Sequence, residues 1–441
     1  MLRFALLAVL ACLAFAADRG TLRAGAARVD ITPAPGAALP MSGYANRTEG
    51  FKAIHDNIYA RAIVLDDGTT QAAIVAWELI FVPSKVWEEL SQRIRREAGI
   101  RPENLLVAAV HDHGAPSLAG GSTPASPATE AYTKKVEDAA VQAVLEAKAH
   151  LQPARFGLAT GTASVNVNRR ELTTDRGWWL GHNENGPSDK TLAVLRFEDL
   201  SGKPIAFLLN YAVHAVVMGP SNYQITGDLA GAASRFVEQF YSGKLQPRSD
   251  GGDRLRLRPQ EKVGGDGPVV LFTSGAAGDQ NPVAMASGED FTLVNALGQI
   301  LGEQAVRVDG NIKTNPQARL WGMQQVVTCP GRRVDEGPRP RTQYTFSDAD
   351  PVPIRLGLLM LDNVALAGVS GEVLTMISQR LKRESPYSQT LMITHANGSS
   401  GYIPDDAAYD QVSYEITTTR LKPGCAEGAI VNGFLDMMRR Y

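Results

Sequence analysis

The chain has 441 residues, 44% of them hydrophobic and 20% charged, which is enough apolar material for a large buried core and too much for a disordered segment. Its 44 basic and 46 acidic residues leave a formal net charge of −2 and a pI near 6.4. That balance provides no electrostatic footprint for nucleic acid or for an anionic membrane surface, and polyanions are excluded as main partners.

At the amino terminus, Arg3, the apolar run Phe4–Phe15 and the small-x-small triplet Ala14-Phe15-Ala16 read as a secretory signal peptide over 1–17, cut near Ala16 or Ala17. Val9-Leu10-Ala11-Cys12 as a lipoprotein box and the run as a signal anchor are competing readings, although a spanning helix needs ~20 apolar residues. No later stretch is long and apolar enough to span a bilayer, so a secreted or periplasmic protein is expected. Only Cys329 and Cys425 would outlast cleavage. An oxidising compartment allows them to pair, but spacing says nothing about their separation in space, and they form no zinc knuckle or redox motif.

In chain order, Ala27–Thr32 reads as a strand and Pro33–Gly43 as a Pro/Gly loop. Ile58–Leu65 and Gln71–Phe81 flank the turn Asp66-Asp67-Gly68, a hairpin signal, with His55 just before it. Ser84–Glu97 places Val86, Trp87, Leu90 and Ile94 at helical spacing behind a serine suited to capping. Leu105–Val110 is an apolar strand, Gly114–Thr129 a loop, and Glu130–Leu151 a long amphipathic helix. Ala154–Asn168 and Thr191–Glu198 read as strands on either side of a loop holding Trp178, Trp179 and His182. Ile205–Val213 is another apolar run, followed by the helix Leu229–Phe240 and a polar insertion near 242–267. The strand Val269–Thr273 breaks into Gly275–Pro282, which lacks both the phosphate-loop Lys-Ser/Thr and the dinucleotide fingerprint. Helix Phe291–Val308, strand Arg319–Thr328, loop Gly331–Gln343 and the hairpin Ile354–Leu361/Val364–Ser370 come next. Helix Val373–Arg383, strand Gln389–Thr394 and helix Glu427–Arg439 close the chain, with no internal repeat.

One pattern organises these elements. Apolar runs ending at Val110, Val213, Phe272, Ser370 and Thr394 pass directly into turns carrying His111 and His113, His214, Asp279 and Asn281, Glu372, and Tyr402. In α/β proteins the carboxyl ends of strands are where ligands and catalytic groups gather. If the central strand continued through His111 and His113, alternation would send both imidazoles to one side, where they could share a metal ion.

The same residues resemble the catalytic domain of the neutral/alkaline, non-lysosomal ceramidases. The shared motifs run in order: Ala27-Arg28-Val29-Asp30-Ile31-Thr32-Pro33, Gly43-Tyr44-Ala45, His55, Val110-His111-Asp112-His113-Gly114-Ala115-Pro116 and Asn166-Val167-Asn168-Arg169. Gly227-Asp228, Gly278-Asp279, Gly371-Glu372 and Gly401-Tyr402 complete the series. The resemblance implies zinc held by His111, His214, Glu372 and Tyr402, with Tyr409 and Tyr414 left open as the phenol ligand. It implies that His113 and Arg169 contact the reacting carbonyl or the substrate, and that metal-activated water attacks an amide. Two departures stand out. Where the family's loop reads Gly-Asp-x-Ser-Pro-Asn, this chain has Gly278-Asp279-Gln280-Asn281-Pro282-Val283, so Asn281 replaces the serine regarded as nucleophile; a carboxamide cannot form an acyl-enzyme. The sequence given ends at Tyr441, and the immunoglobulin-like domain of many relatives is expected to be absent.

The expectation is an α/β fold with mixed sheets packed face to face and helices outside, forming one large catalytic domain over 18–441. Its expected function is that of an exported zinc-dependent hydrolase of an amide in a lipid or small molecule, with transient membrane-surface contact left open. Hydrolysis of an ester or carbohydrate-linked substrate, and non-catalytic lipid binding, are the alternatives.

Overall fold

The computed structural model describes residues 20–121, 125–247, 255–256 and 267–441. The expected signal peptide and most of the 242–267 insertion lie outside these residues; Gln246–Pro247 and Leu255–Arg256 pair as a short antiparallel ladder.

Two sheets dominate. The larger has eight strands in the spatial order Val269–Ser274, Pro204–Tyr211, Thr191–Asp199, Gln152–Thr162, Arg23–Asp30, Tyr59–Asp66, Gln71–Trp77 and Leu105–Ala109. Its two outermost pairs are parallel and the rest antiparallel. The smaller runs Leu320–Val334, Phe346–Leu361, Val364–Val369 and Gln389–Ile393, with only the last pair parallel. Period-two alternation explains why they stack. Ile63, Leu65, Leu195, Phe197, Ala206 and Leu208 point from the large sheet into one apolar layer with Leu359, Leu361, Leu366, Leu391 and Ile393 of the small one. The intervening residues, Ala62 and Val64 or Phe207 and Leu209, face the other way onto helices.

Helices Ser84–Ala98 and Pro127–Ala149 cover one half of that outer face, Asp228–Tyr241 and Thr292–Asp309 the other, while Thr375–Glu384 and Ala426–Met438 cover the small sheet. The result is the expected arrangement of facing mixed sheets with helices outside.

The segment Thr394–Asn397 stitches the sheets together at the end that carries the site. Thr394 N donates to Ser274 O (2.9 Å), Ala109 N to His395 O (3.2 Å), Ala396 N to Val369 O (2.9 Å) and Asn397 N to Val107 O (2.8 Å). Val107 N donates in return to Asn397 Oδ1 at 2.8 Å. Strand ends far apart in sequence are therefore held in one place by backbone hydrogen bonds, which a buried loop must satisfy in any case.

Several sequence expectations need correction. Ser84 is the first helical residue and Pro83 the cap. The second helix starts at Pro127, where Ser126 and Thr129 form a capping box inside the stretch read as loop. The supposed loop with Trp178 and Trp179 is a hairpin, Asn166–Thr173 paired with Gly177–Asn183. Its inward side chains are the polar Asn166, Asn168, Arg169 and Arg170, so an apolar period of two is missing. Glu372–Val373 is not helical but pairs in parallel with Tyr402–Ile403, and the helix begins at Thr375. Cys329 and Cys425 form a disulfide.

Phe197 sits fully buried in the layer between the sheets. Phe197→Ala is expected to cost about 3–5 kcal/mol of unfolding free energy, read by denaturant titration; a loss below about 1 kcal/mol would contradict the inter-sheet layer as the main core.

Candidate metal centre and active site

The large sheet's edge strand stops at Ala109, and His111 does not continue it: its φ is +64°, in the left-handed region. The expected side-by-side projection from an extended strand is therefore wrong in its geometry, although the outcome holds. His113 Nε2 lies 3.3 Å from His111 Nε2. His214 follows the Pro204–Tyr211 strand and meets them, its ring centroid 4.3 Å from that of His111 at 86°. One nitrogen from each of the three imidazoles lies within 4.8 Å of the other two.

Hydrogen bonding fixes two of these rings. His111 Nδ1 bonds Ile80 O at 2.8 Å and His214 Nδ1 bonds Ala277 O at 2.6 Å. A carbonyl can only accept, so each Nδ1 carries the proton and each Nε2 turns a lone pair inward. Both lone pairs face the same carboxylate oxygen, Glu372 Oε2, at 3.3 Å and 3.5 Å. That oxygen is buried and has no hydrogen-bond partner. His214 Nε2 also accepts from Arg169 Nη1 at 3.0 Å, but the Glu372 oxygen between the two Nε2 atoms has no donor of its own, and two imidazole nitrogens with a carboxylate oxygen around one point are a donor set that fits a metal ion.

The electrostatics agree. Burial, then the charge of Arg169, pulls His214 down to about 3. Burial and the facing imidazoles hold His113 well below the usual histidine value. Burial pushes Glu372 up, but its imidazole neighbours outweigh this and keep it well below the ordinary carboxylate range. Neutral imidazoles and an ionised carboxylate are the forms that bind metal.

Glu372 and Tyr402 are direct partners in the short parallel ladder, and Glu372 N donates to Gly401 O (2.9 Å). Arg169 ties the remaining residues together: Nη2 donates to Tyr402 OH (3.0 Å), Nη1 to His214 Nε2 (3.0 Å) and to Asn281 Oδ1 (3.4 Å), and Nε to Glu415 Oε1 (2.7 Å). Of the three candidate phenols, Tyr402 is the one whose hydroxyl accepts from Arg169 and whose backbone pairs with that of Glu372. Tyr414 stands behind it, edge-on at 5.7 Å, and Tyr409 turns away to donate to Leu421 O. Asn281, half-buried on the Gln280–Pro282 strand, meets the site through Arg169, whose Nη1 donates to its Oδ1.

The structure also adds residues that the sequence reading left out. His395 stacks on His111 with centroids 4.0 Å apart at 11°, and its buried Nε2 has no partner. The strand-end rule that found His214 would have found it too. Glu415, fully buried, braces Arg169, while its other oxygen accepts from Ser413 Oγ (2.8 Å); nothing in the polar stretch around it marks it in the sequence. His55 is not part of the site: it bonds Asp56 at 2.7 Å and stacks on Phe291. Trp179 packs edge-on to Tyr414 at 5.8 Å, whereas His182 is exposed.

Residues 22–293 match the profile of the family described as neutral/alkaline non-lysosomal ceramidase, N-terminal. The chain belongs to this family. Neutral ceramidase A of Dictyostelium discoideum is 29% identical over 287 residues, 60% of this chain and 36% of that protein. Neutral ceramidase of Drosophila melanogaster is 26% identical over 313 residues, 65% of this chain and 44% of that protein. The chain thus matches less than half the length of these relatives. A solved structure described as ceramidase complexed with C2 aligns over 95% of this chain and 75% of its own, with a TM-score of 0.74 at 18% identity. The crystal structure of neutral ceramidase from Pseudomonas aeruginosa aligns with a TM-score of 0.70 at 19% identity, over 96% of this chain and 74% of its own. Glu372, His395, Tyr402 and Glu415 lie beyond the segment matched to the family profile but within the described fold.

Because buried His214 and His395 and half-buried His113 have lowered proton affinity, the unfolded chain binds more protons than the folded one below the ordinary histidine value of about 6.5. Stability of the metal-free protein is expected to fall as pH drops from about 7 to 5. A midpoint of thermal unfolding independent of pH across that window would contradict the burial of neutral imidazoles.

Proposed function

We propose that this chain is an exported zinc-dependent hydrolase that cleaves an N-acyl amide of ceramide type. One observation carries the reading: the Nε2 atoms of His111 and His214, oriented by Ile80 O and Ala277 O, face a buried Glu372 oxygen that has no hydrogen bond. His111, His214 and Glu372 would hold the cation, with Tyr402 as the phenol donor. When bound, zinc supplies Lewis acidity toward a carbonyl and toward water near neutral pH.

The chain's own residues do the rest. Arg169 stays protonated despite its burial, paired with the Glu415 carboxylate, and its fork is aimed at His214, Asn281 and Tyr402. It is placed to stabilise negative charge developing on a carbonyl oxygen. His113 can take and return a proton at Nε2. Asn281 offers an amide that orients water or substrate and has no hydroxyl to acylate, so attack falls to water. Family membership supports an amide as the bond and a lipid as the substrate, and transient contact with a membrane surface would deliver it. The leader-like amino terminus and the Cys329–Cys425 disulfide support export.

Protein purified without chelators is expected to carry about one zinc per chain, and His214→Ala to lose both the metal and hydrolysis of a short-chain ceramide. A metal-free, folded protein whose thermal stability ignores both chelator and added zinc would refute this reading.

Asn281 also favours a second reading, a non-catalytic lipid-binding relative, and Asn281→Ser separates the two. If the unaltered chain hydrolyses ceramide, water attack stands; if it binds ceramide without turnover while Asn281→Ser cleaves it, the binding reading replaces it.

A further inference from the structure

His113 is held differently from its neighbours. His111 and His214 each give Nδ1 to a backbone carbonyl, whereas Nδ1 of His113 is buried without a hydrogen-bond partner. On the Nδ1 side its orientation is set by shape, with Nε2 meeting His111 Nε2 at 3.3 Å. We propose that the loop from Pro40 to Arg47 is the seat that orients the His113 imidazole, with Gly43, Tyr44 and Arg47 as its positioning residues.

Gly43 has φ +95°, and a Cβ built there would lie 2.1 Å from His113 Nδ1, 2.5 Å from Cγ and 2.7 Å from Cε1. The ring therefore occupies the space that any side chain at position 43 would need, and the left-handed backbone there favours glycine independently. Tyr44 closes a second side, its ring 4.9 Å from the imidazole at 63°, and its hydroxyl donates to Met218 O (3.3 Å) in the segment after His214. Buried Arg47 fixes the backbone on both sides of the contact. It donates to His113 O at 2.6 Å, to Asn222 O at 3.0 Å and to Ser42 O. Ser42 N to Ala115 O (3.0 Å) and Ser117 N to Pro40 O (2.8 Å) hold the loop against the 113–117 turn.

Such a seat supplies something that a hydrogen bond would not. An imidazole whose Nδ1 is committed to a carbonyl keeps one tautomer, which suits a metal ligand. A ring whose Nδ1 side is held by packing leaves that nitrogen uncommitted while Nε2 meets the cluster, 3.3 Å from His111 Nε2. The inference rests on the hydrolase reading only for its consequence in turnover.

The test compares Gly43→Ala, Tyr44→Ala and Tyr44→Phe in the zinc-loaded full chain. Three quantities are read: zinc content, ring-nitrogen NMR signals of selectively 15N-labelled histidine, and kcat and KM on a short-chain ceramide. Gly43→Ala is expected to keep about one zinc per chain, to shift the His113 ring signals and not those of His111 and His214, and to lower kcat about 100-fold or more with KM within about threefold. Tyr44→Ala should lower kcat at least about tenfold, and Tyr44→Phe should recover most of that loss, because the ring edge does the positioning. Unmoved His113 signals in Gly43→Ala overturn the proposal. If the unaltered protein cleaves no amide, the hydrolase reading fails separately and the NMR signals alone decide about the seat. Should Gly43→Ala not fold, the Tyr44 pair decides: equal effects from alanine and phenylalanine overturn the proposal.

Discussion

Two backbone carbonyls set the character of this molecule. By accepting from Nδ1 of His111 and His214, Ile80 O and Ala277 O turn two Nε2 lone pairs toward one carboxylate oxygen of Glu372. The arrangement leaves the Glu372 oxygen facing both nitrogens with no hydrogen bond of its own, even though Arg169 Nη1 donates to His214 Nε2. It becomes favourable around a cation. Most other features near the site serve to keep those groups from relaxing apart: the left-handed turn at His111, the stacking of His395 on its ring, and the parallel ladder that places Glu372 beside Tyr402.

The sandwich is what makes such a cluster affordable in stability. His111 and His214 come from strand ends of the large sheet, and Glu372 follows a strand of the small one. Only because the inner faces share one apolar layer, and because Thr394–Asn397 bonds to both sheets, do those ends meet. A second tier stands behind the first. Asp279 accepts from Thr375 N (3.0 Å) and Thr375 Oγ1 (2.7 Å), pinning the start of the helix after Glu372, and Glu415 holds Arg169 from below. Buried polar networks of this kind are costly unless every member is satisfied, and here the Glu372 oxygen left unsatisfied is the one facing the cluster.

Much of this was legible in the sequence, for a physical reason. Strands covered on both faces are continuous apolar runs, so Leu105–Ala109, Pro204–Tyr211 and Val269–Ser274 announce themselves, and the polar residues just past them mark the site. The strand-end pattern singled out His111, His214 and Glu372, and the family resemblance alone supplied Arg169; the structure places the four side by side. The Asn166–Asn183 hairpin was not legible, because its buried residues are arginines and asparagines paired with each other and with the acidic 405–415 segment, and a pattern of polarity cannot reveal mutual satisfaction. Glu415 was invisible for the same reason. Backbone reversals such as φ +64° at His111 leave no trace in composition, and the extended-strand argument for pairing the two histidines reached a sound outcome by the wrong route.

X-ray absorption at the zinc edge, on metal-loaded protein, addresses the central claim most directly. The account predicts nitrogen and oxygen donors at about 2.0–2.2 Å, with outer-shell scattering from two imidazoles that disappears in the double variant His111→Ala/His214→Ala. A spectrum of oxygen donors only, or one unchanged in that variant, would show that the cation does not sit where these two lone pairs meet Glu372, and would contradict the account.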